Sequence, residues 1–388
     1  MTETVSADPL DVLRSRTSEK WSEYPDDVLP MFVAEMDVPL APVIREALHA
    51  AIDRGDAGYV ASRTRLPQAF TGFARRRWAW TVDPDSVFTT ADVSMGIVEI
   101  LRRVTSPGDA VVITPPVYPP FFELVPEAGA VVVEVPLRDG TGAGDADGAL
   151  RLDLPGLEAA FSAGAKAFLL CNPHNPIGRP HTLEELRAVA ALAARYGVAV
   201  VSDEIHAPLT QPGEVFVPYL SVSDEAAANG FAVLSASKAW NLAGLKCAVM
   251  VTAAPGPRSV VARMPVEVFW RTGQFGVLAS VAAFEAGEPW LDGLLQLIDG
   301  NRRLLADLLA THLPAVGYRI PAAGYLAWLD FTALGWNEAP ARRILREVKV
   351  ALQEGAPFGP SGRGHARLNL ACDPELLTQA AERIAGLR

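Results

Sequence analysis

Seven short apolar runs lie in the middle of the chain, with helical patterns between several of them, and they limit what the chain can become. They are Val87–Thr90, Ala110–Ile113, Ala130–Val135, Ala167–Cys171, Gly197–Ser202, Phe231–Ser235 and Cys247–Thr252. The stretch from Val198 to Glu204 is apolar along both faces before its acids, so helices must cover both sides of the sheet. Seven strands with helical crossovers imply an open, layered α/β structure. The clearest helix is Leu183–Arg195: Thr182 precedes it as N-cap and Glu185 follows three residues on, the pattern of a capping box.

The two ends of the chain read differently. The N-terminal part holds one weak helix and an extended segment from Pro30 to Pro42. After Trp290 come a helical stretch Leu291–Leu313, a strand-like Tyr325–Phe331, a helix near Ala339–Glu354 and a strand-like Ala366–Cys372. The division this predicts is a large domain over residues 47–288 and a smaller α+β domain from residues 1–46 and 289–388. Gly140–Gly148, rich in Gly, Asp and Ala, reads as a solvated connection.

Composition narrows the function classes. A formal net charge of −11 gives no field for a nucleic-acid partner. Apolar stretches such as Ala188–Val201 are interrupted by charge at Arg195, so no membrane span is expected. The N-terminus is polar and acidic, unlike a signal peptide. Three scattered cysteines, Cys171, Cys247 and Cys372, form neither a disulfide framework nor a zinc site. A reduced, cytoplasmic enzyme without a bound metal is the expectation.

Only five lysines occur, at positions 20, 166, 238, 246 and 349, so chemistry needing a primary amine has few choices. Lys238 follows an apolar strand in Ser235-Ala-Ser237-Lys238. That places it at the carboxyl edge of the sheet, where open α/β folds bind ligands. There a lysine can be desolvated and act as a nucleophile toward an aldehyde, and the flanking serines suit a phosphate. Taken alone, the tetrapeptide fits an ordinary surface lysine equally well. Lys246 adds a second cation after a glycine turn. Cys171-Asn-Pro-His-Asn-Pro-Ile-Gly178 forms a tight turn at another strand end, because the two X-Pro steps force extended backbone. Val201-Ser-Asp-Glu-Ile-His206 ends a buried strand with two acids that need partners, and a cationic ring nitrogen would serve Asp203. His206 by itself reads most simply as a satisfied structural histidine.

In this order and spacing the motifs resemble a fold-type I pyridoxal-phosphate enzyme of the class I/II aminotransferase superfamily. The finer resemblance is to its cystathionine β-lyase, or C–S lyase, branch. Met31-Phe-Val-Ala-Glu-Met-Asp-Val38, Gly58-Tyr59, the Pro-Val-Tyr-x-Pro-Phe pattern at Pro116–Phe121 and Arg367-Leu-Asn-Leu-Ala371 carry it. The resemblance implies a seven-stranded, mostly parallel sheet in the large domain and pyridoxal 5'-phosphate as cofactor. It also implies a homodimer with shared active sites. Lys238 would hold the cofactor covalently and then serve as base at the substrate Cα. Asp203 would keep the pyridine nitrogen protonated. Asn175 would bond the ring's phenolic oxygen with His206 nearby, and Tyr118 would stack on the ring. Ser235, Ser237, Lys246 and the amides of Val93 and Ser94, at a helix N-terminus, would hold the phosphate. Tyr59 would reach it from the neighbouring subunit; the alternative is a core tyrosine. Arg367 would pair with the substrate carboxylate, beside Tyr118 and Asp37.

Some positions depart from the branch pattern. Glu35 stands where Asp is usual, Asp92 replaces a glycine near the phosphate, Gly324 stands where Thr is common, and Gln274 falls in a segment that usually reads Pro-Ser-x-Phe. These changes are expected around the substrate side of the pocket. The reaction implied is β-elimination from an S-substituted, cystathionine-like cysteine to a thiol, pyruvate and ammonia. Transamination with a 2-oxo acid uses the same residues and is the runner-up, followed by specialised chemistry of secondary metabolism on the same cofactor. A cofactor-binding transcriptional regulator would need a DNA-binding domain, for which the stretch before Met31 is too short.

Overall fold

A computed structural model describes residues 3–140 and 149–387. The expected Gly140–Gly148 connection therefore lies, apart from Gly140, outside the described residues. All seven apolar runs form strands: β1 (Val87–Thr90), β2 (Ala110–Ile113), β3 (Val131–Glu134), β4 (Ala167–Cys171), β5 (Ala199–Asp203), β6 (Gly230–Leu234) and β7 (Ala248–Val251). They join in one sheet of spatial order β1-β7-β6-β5-β4-β2-β3. β6, β5, β4, β2 and β3 run parallel, and β7 lies antiparallel to both its neighbours.

Both faces of the sheet are buried, as the unalternating strands required. Phe168 and Leu170 of β4 enter one apolar cluster, while Ala167, Leu169 and Cys171 enter another on the opposite face. The helix Val93–Val104 covers the second face, and Gly96 is what lets it lie so close: a Cβ there would sit 2.9 Å from the Val233 side chain. The capping box of Thr182 and Glu185 is present, and its helix runs Leu183–Tyr196 before Gly197 ends it with φ +68°.

A second sheet is antiparallel, in the order Gly317–Tyr318, Leu326–Asp330, His365–Asn369, Gln353–Glu354. It has its own apolar cluster, with Leu329, Ile344 and Leu368. The helix Glu288–His312 joins the two cores. Trp290, Leu291 and Leu294 pack into the first, Leu305 and Leu309 into the second. The expected domain boundaries thus fall inside two helices, this one and Pro42–Asp53.

Two elements differ from expectation. The helix expected over Ala339–Glu354 spans Pro340–Val348 and stops at Lys349, which adopts φ 58°. Beyond it, Val350 and Leu352 enter the second core, while Ala351 enters a small cluster with Val28 and Phe32. That alternation is the period of a strand, and Val350–Ala351 pairs in parallel with Leu29–Pro30. Instead of one weak helix, the N-terminal part has two short ones, Leu10–Arg14 and Glu19–Ser22, before Pro42–Asp53. No helix among the described residues is long and apolar enough to cross a membrane.

Candidate active site

A cavity of about 450 Å³ opens where β4, β5 and β6 end, a volume in the range of small-molecule sites. Each strand delivers one of the predicted motifs to it. After β4 the turn brings Asn175, β5 ends on Asp203 with His206 following, and β6 leads into Ser235, Ser237 and Lys238. Val93 and Ser94 enter from the start of their helix, Tyr118 from the segment after β2, and Lys246 from the turn before β7. Arg367 arrives from the second sheet.

Local contacts explain why these loops hold their shape. Gly178 closes the Asn-Pro-His-Asn-Pro turn at φ +63°, and a Cβ there would meet the Ala323 carbonyl oxygen at 2.7 Å. His174 Nε2 donates to the Pro116 carbonyl at 2.8 Å, tying the loop that carries Asn175 to the one that carries Tyr118. The extended Met31–Val38 segment forms a wall of the cavity through Val33 and Ala34. Asn369 Nδ2 donates to the carbonyls of Val33 (2.8 Å) and Glu35 (2.5 Å), and Tyr325 donates to that of Ala34 at 2.9 Å. Asn241 bonds both the amide and the carbonyl of Met36, each at 3.0 Å.

The charges are strained by burial. Lys238 donates to the Ala34 carbonyl at 3.1 Å. Burial, and then the Arg367 charge, bring its amine down to about 8. Burial raises Asp203 to about 7, opposed by the Ile205 amide at 3.1 Å and by Lys238. No basic side chain pairs with it. His206 is pushed down to about 3, by burial first and then by Lys238 and Arg367, and its Nδ1 has no partner, so it is not the satisfied structural histidine expected. Arg367 is drawn down to about 10 by burial. It donates to Asn175 Oδ1 at 3.2 Å and to the Phe32 carbonyl at 3.4 Å, lies 5.1 Å from the Phe358 ring centroid, and leaves Nε unpartnered. Tyr118 is raised to about 12, chiefly by burial, and stays neutral.

At the other end of the cavity, Asp92 caps the helix Val93–Val104 by accepting from the Met95 amide at 2.8 Å. It also pairs with Lys246 at 3.1 Å. Ser235 donates to the Cys247 carbonyl at 2.6 Å and accepts from the Ser237 amide at 3.0 Å.

Five predicted positions are not brought to the cavity lining: Glu35 and Gly324 lie outside it, as do the three that follow. Asp37 is buried beneath the wall segment, where one carboxylate oxygen pairs with Lys20 at 2.8 Å and the other accepts from Trp21 Nε1 at 2.8 Å. With both oxygens engaged it is a structural strut, not a substrate contact. Tyr59 is 93% exposed in a loop, which excludes the core-tyrosine reading and leaves it outside this chain's own cavity. Gln274 begins a helix and reaches Asp56 at 3.4 Å, away from the expected substrate side. Conversely, sequence reasoning missed Glu19, Gln353 and Phe358 in the lining and the roles of Asn369, Asn241 and Tyr325. Asn369 was within reach: it lies two residues from Arg367 on the same strand face.

The donor set fits pyridoxal phosphate: a buried amine for its aldehyde, an unpaired acid for its ring nitrogen, and a helix N-terminus with a lysine for its phosphate. The orphaned His206 Nδ1 and Arg367 Nε are buried polar atoms that a ligand would satisfy. The comparisons agree. A Mycobacterium leprae protein provisionally named cystathionine beta-lyase is 45% identical over 97% of this chain and 96% of its own. Corynebacterium glutamicum cystathionine beta-lyase is 36% identical over 97% of this chain and 98% of its own. Cystalysin from Treponema denticola, solved with pyridoxal 5'-phosphate, superposes with a TM-score of 0.88 at 26% identity, over 99% of this chain and 98% of that one. The family description "Aminotransferase class I and II" matches residues 27–384, and the chain belongs to that family.

Proposed function

We propose that this protein is a pyridoxal-phosphate-dependent C–S β-lyase that cleaves an S-substituted, cystathionine-like cysteine to a thiol, pyruvate and ammonia. The observation that carries the reading is a half-buried lysine whose amine is brought down to about 8 by desolvation, in one cavity with a buried acid and a buried arginine. The choice of lyase over aminotransferase rests on relatives named cystathionine beta-lyase at 36% and 45% identity along nearly the whole chain.

When bound, the cofactor supplies an electron sink for the pair left at the substrate Cα. Lys238 would hold it covalently. When free, the Lys238 amine would be basic enough to take the substrate Cα proton and would pass it to the departing sulfur. Asp203 holds a proton on the ring nitrogen. Arg367 takes the substrate carboxylate with its planar fork, which replaces the two long contacts it makes now. Tyr118 would cover the ring, Asn175 and His206 would serve its phenolic oxygen, and Ser235, Ser237, Lys246 and the amides of Val93 and Ser94 would receive the phosphate.

The same reading makes the enzyme a cytoplasmic homodimer with composite sites. The dimer is supported by exposed large apolar side chains: Val266 and Trp270, the latter 60% exposed, share a groove with Val60, the neighbour in sequence of the exposed Tyr59. Tyr59 then completes the partner's phosphate site. Two apolar cores support a larger and a smaller domain, as the division into 47–288 and 1–46 with 289–388 supposes, although Met36, Ile44, Trp290 and Leu294 of the smaller part pack into the larger core and the helix Glu288–His312 spans both.

The test is to incubate the purified enzyme with cystathionine and assay thiol and pyruvate, with and without an added 2-oxo acid. Pyruvate release without the acceptor is expected. Strict dependence on the acceptor would make the enzyme an aminotransferase.

A further inference from the structure

The acid at the cavity mouth points to the substrate's far end. Three acidic side chains line the cavity among the described residues: Asp92, Asp203 and Glu19. Asp92 is paired with Lys246, and Asp203 is buried at the strand end. Glu19 is exposed, and among the described residues its carboxylate makes no hydrogen bond or ion pair. Glu35, on the neighbouring wall segment, likewise has no such partner for its carboxylate, and the charges of both acids reach Lys238.

Glu19 is held where it is. It starts the four-residue helix Glu19–Ser22, and the next two side chains, Lys20 and Trp21, both bind Asp37 at 2.8 Å. The Lys20–Asp37 pair is almost wholly buried, with side-chain exposures of 0% and 2%. Asp37 is in turn fixed by its amide bond to the Ala371 carbonyl at 2.9 Å. A helix this short has no stability of its own, so the buried pair is what fixes Glu19 against the cavity.

We propose that Glu19 selects substrates whose leaving group ends in a cationic amine. The inference rests on the lyase reading above. Arg367 fixes the α-carboxylate end of an S-substituted cysteine, and the tail beyond sulfur must leave through the mouth, where Glu19 is the unpaired charge. A tail ammonium meets an acid already in place; a tail carboxylate meets repulsion. An exposed pair of this kind changes relative rates by about fivefold or less, and the effect shrinks with added salt.

The test uses three S-alkylcysteines of similar length, with tails ending in an amine, a methyl group and a carboxylate, and compares kcat/KM from pyruvate release. Wild type is expected to prefer the amine tail and to disfavour the carboxylate, with both differences reduced at high salt. In Glu19→Gln the amine-to-methyl ratio should fall about fivefold or less, and in Glu19→Lys the order of amine and carboxylate should reverse. Unchanged ratios in both variants, with all enzymes active on the methyl-tailed substrate, would overturn the role of Glu19 alone. No pyruvate from any of the three in wild type would overturn the lyase reading, and this inference with it.

Discussion

Replacing Asp37 with alanine separates a strut from a substrate contact. The Lys20–Asp37 pair sits at 2.8 Å with almost no solvent exposure, so Asp37→Ala leaves a buried ammonium without its counter-charge. Breaking such a pair from one side costs about 3–5 kcal/mol, whereas replacing both members by apolar groups is often close to neutral. Trp21 loses its acceptor as well, at about 1–3 kcal/mol if its N–H finds no other. The loss falls on the N-terminal segment before it reaches the large domain, because the pair holds the short helix rather than the central sheet. The assay is hydrogen exchange of the amides in residues 10–22 of the holoenzyme. Asp37→Ala should speed their exchange by at least about a hundredfold, the equivalent of about 3 kcal/mol. The double change Lys20→Met with Asp37→Leu should restore most of the protection. Near-wild-type exchange in Asp37→Ala, together with a large loss of kcat/KM, would refute the strut and return Asp37 to the substrate.

Asp203→Ala should lower kcat far more than it raises KM, because the acid acts on the barrier at Cα rather than on substrate binding; near-wild-type turnover would remove that role. Glu204 is buried behind the site, and burial raises its carboxyl to about 8. Its folded pKa lies above the unfolded one, so its contribution is present at low pH and is lost as pH rises through about 8. Thermal melts at pH 6 and pH 9 should therefore show wild type losing more stability across that range than Glu204→Gln. Subunit mixing tests the shared site. Arg63 is exposed in the same loop as Tyr59; Lys238→Ala and a Tyr59→Phe, Arg63→Ala double variant, each inactive alone, should recover about a quarter of wild-type activity once exchanged, since half the dimers then carry one intact site. No recovery despite proven exchange would show that the sites are not shared.

Much of this architecture was legible because the central strands are buried on both faces and carry their chemistry at their ends. β4, β5 and β6 each finish on a motif, so reading the strand located the site residue as well. What stayed hidden came from contacts distant in sequence. Tyr325 reaches Ala34 across 291 positions and Asn241 reaches Met36 across 205, and no local pattern marks either contact. Asp37 was misplaced because an acid beside a pocket and an acid in a buried pair look alike in sequence. Its partner Lys20 sits in a four-residue helix too short to show a period. The overlong helix expected to reach Glu354 has the same origin: the short apolar run Val350–Leu352 fits either period until the two cores on its sides are known.

Five lysines make the central claim directly measurable. The holoenzyme is reduced with borohydride and digested, and the modified peptide is mapped. Lys238, half-buried just beyond β6 with its amine brought down to about 8, should carry the pyridoxyl group alone. A pyridoxyl group on Lys246, which the structure pairs with Asp92, or on Lys166 would contradict the account.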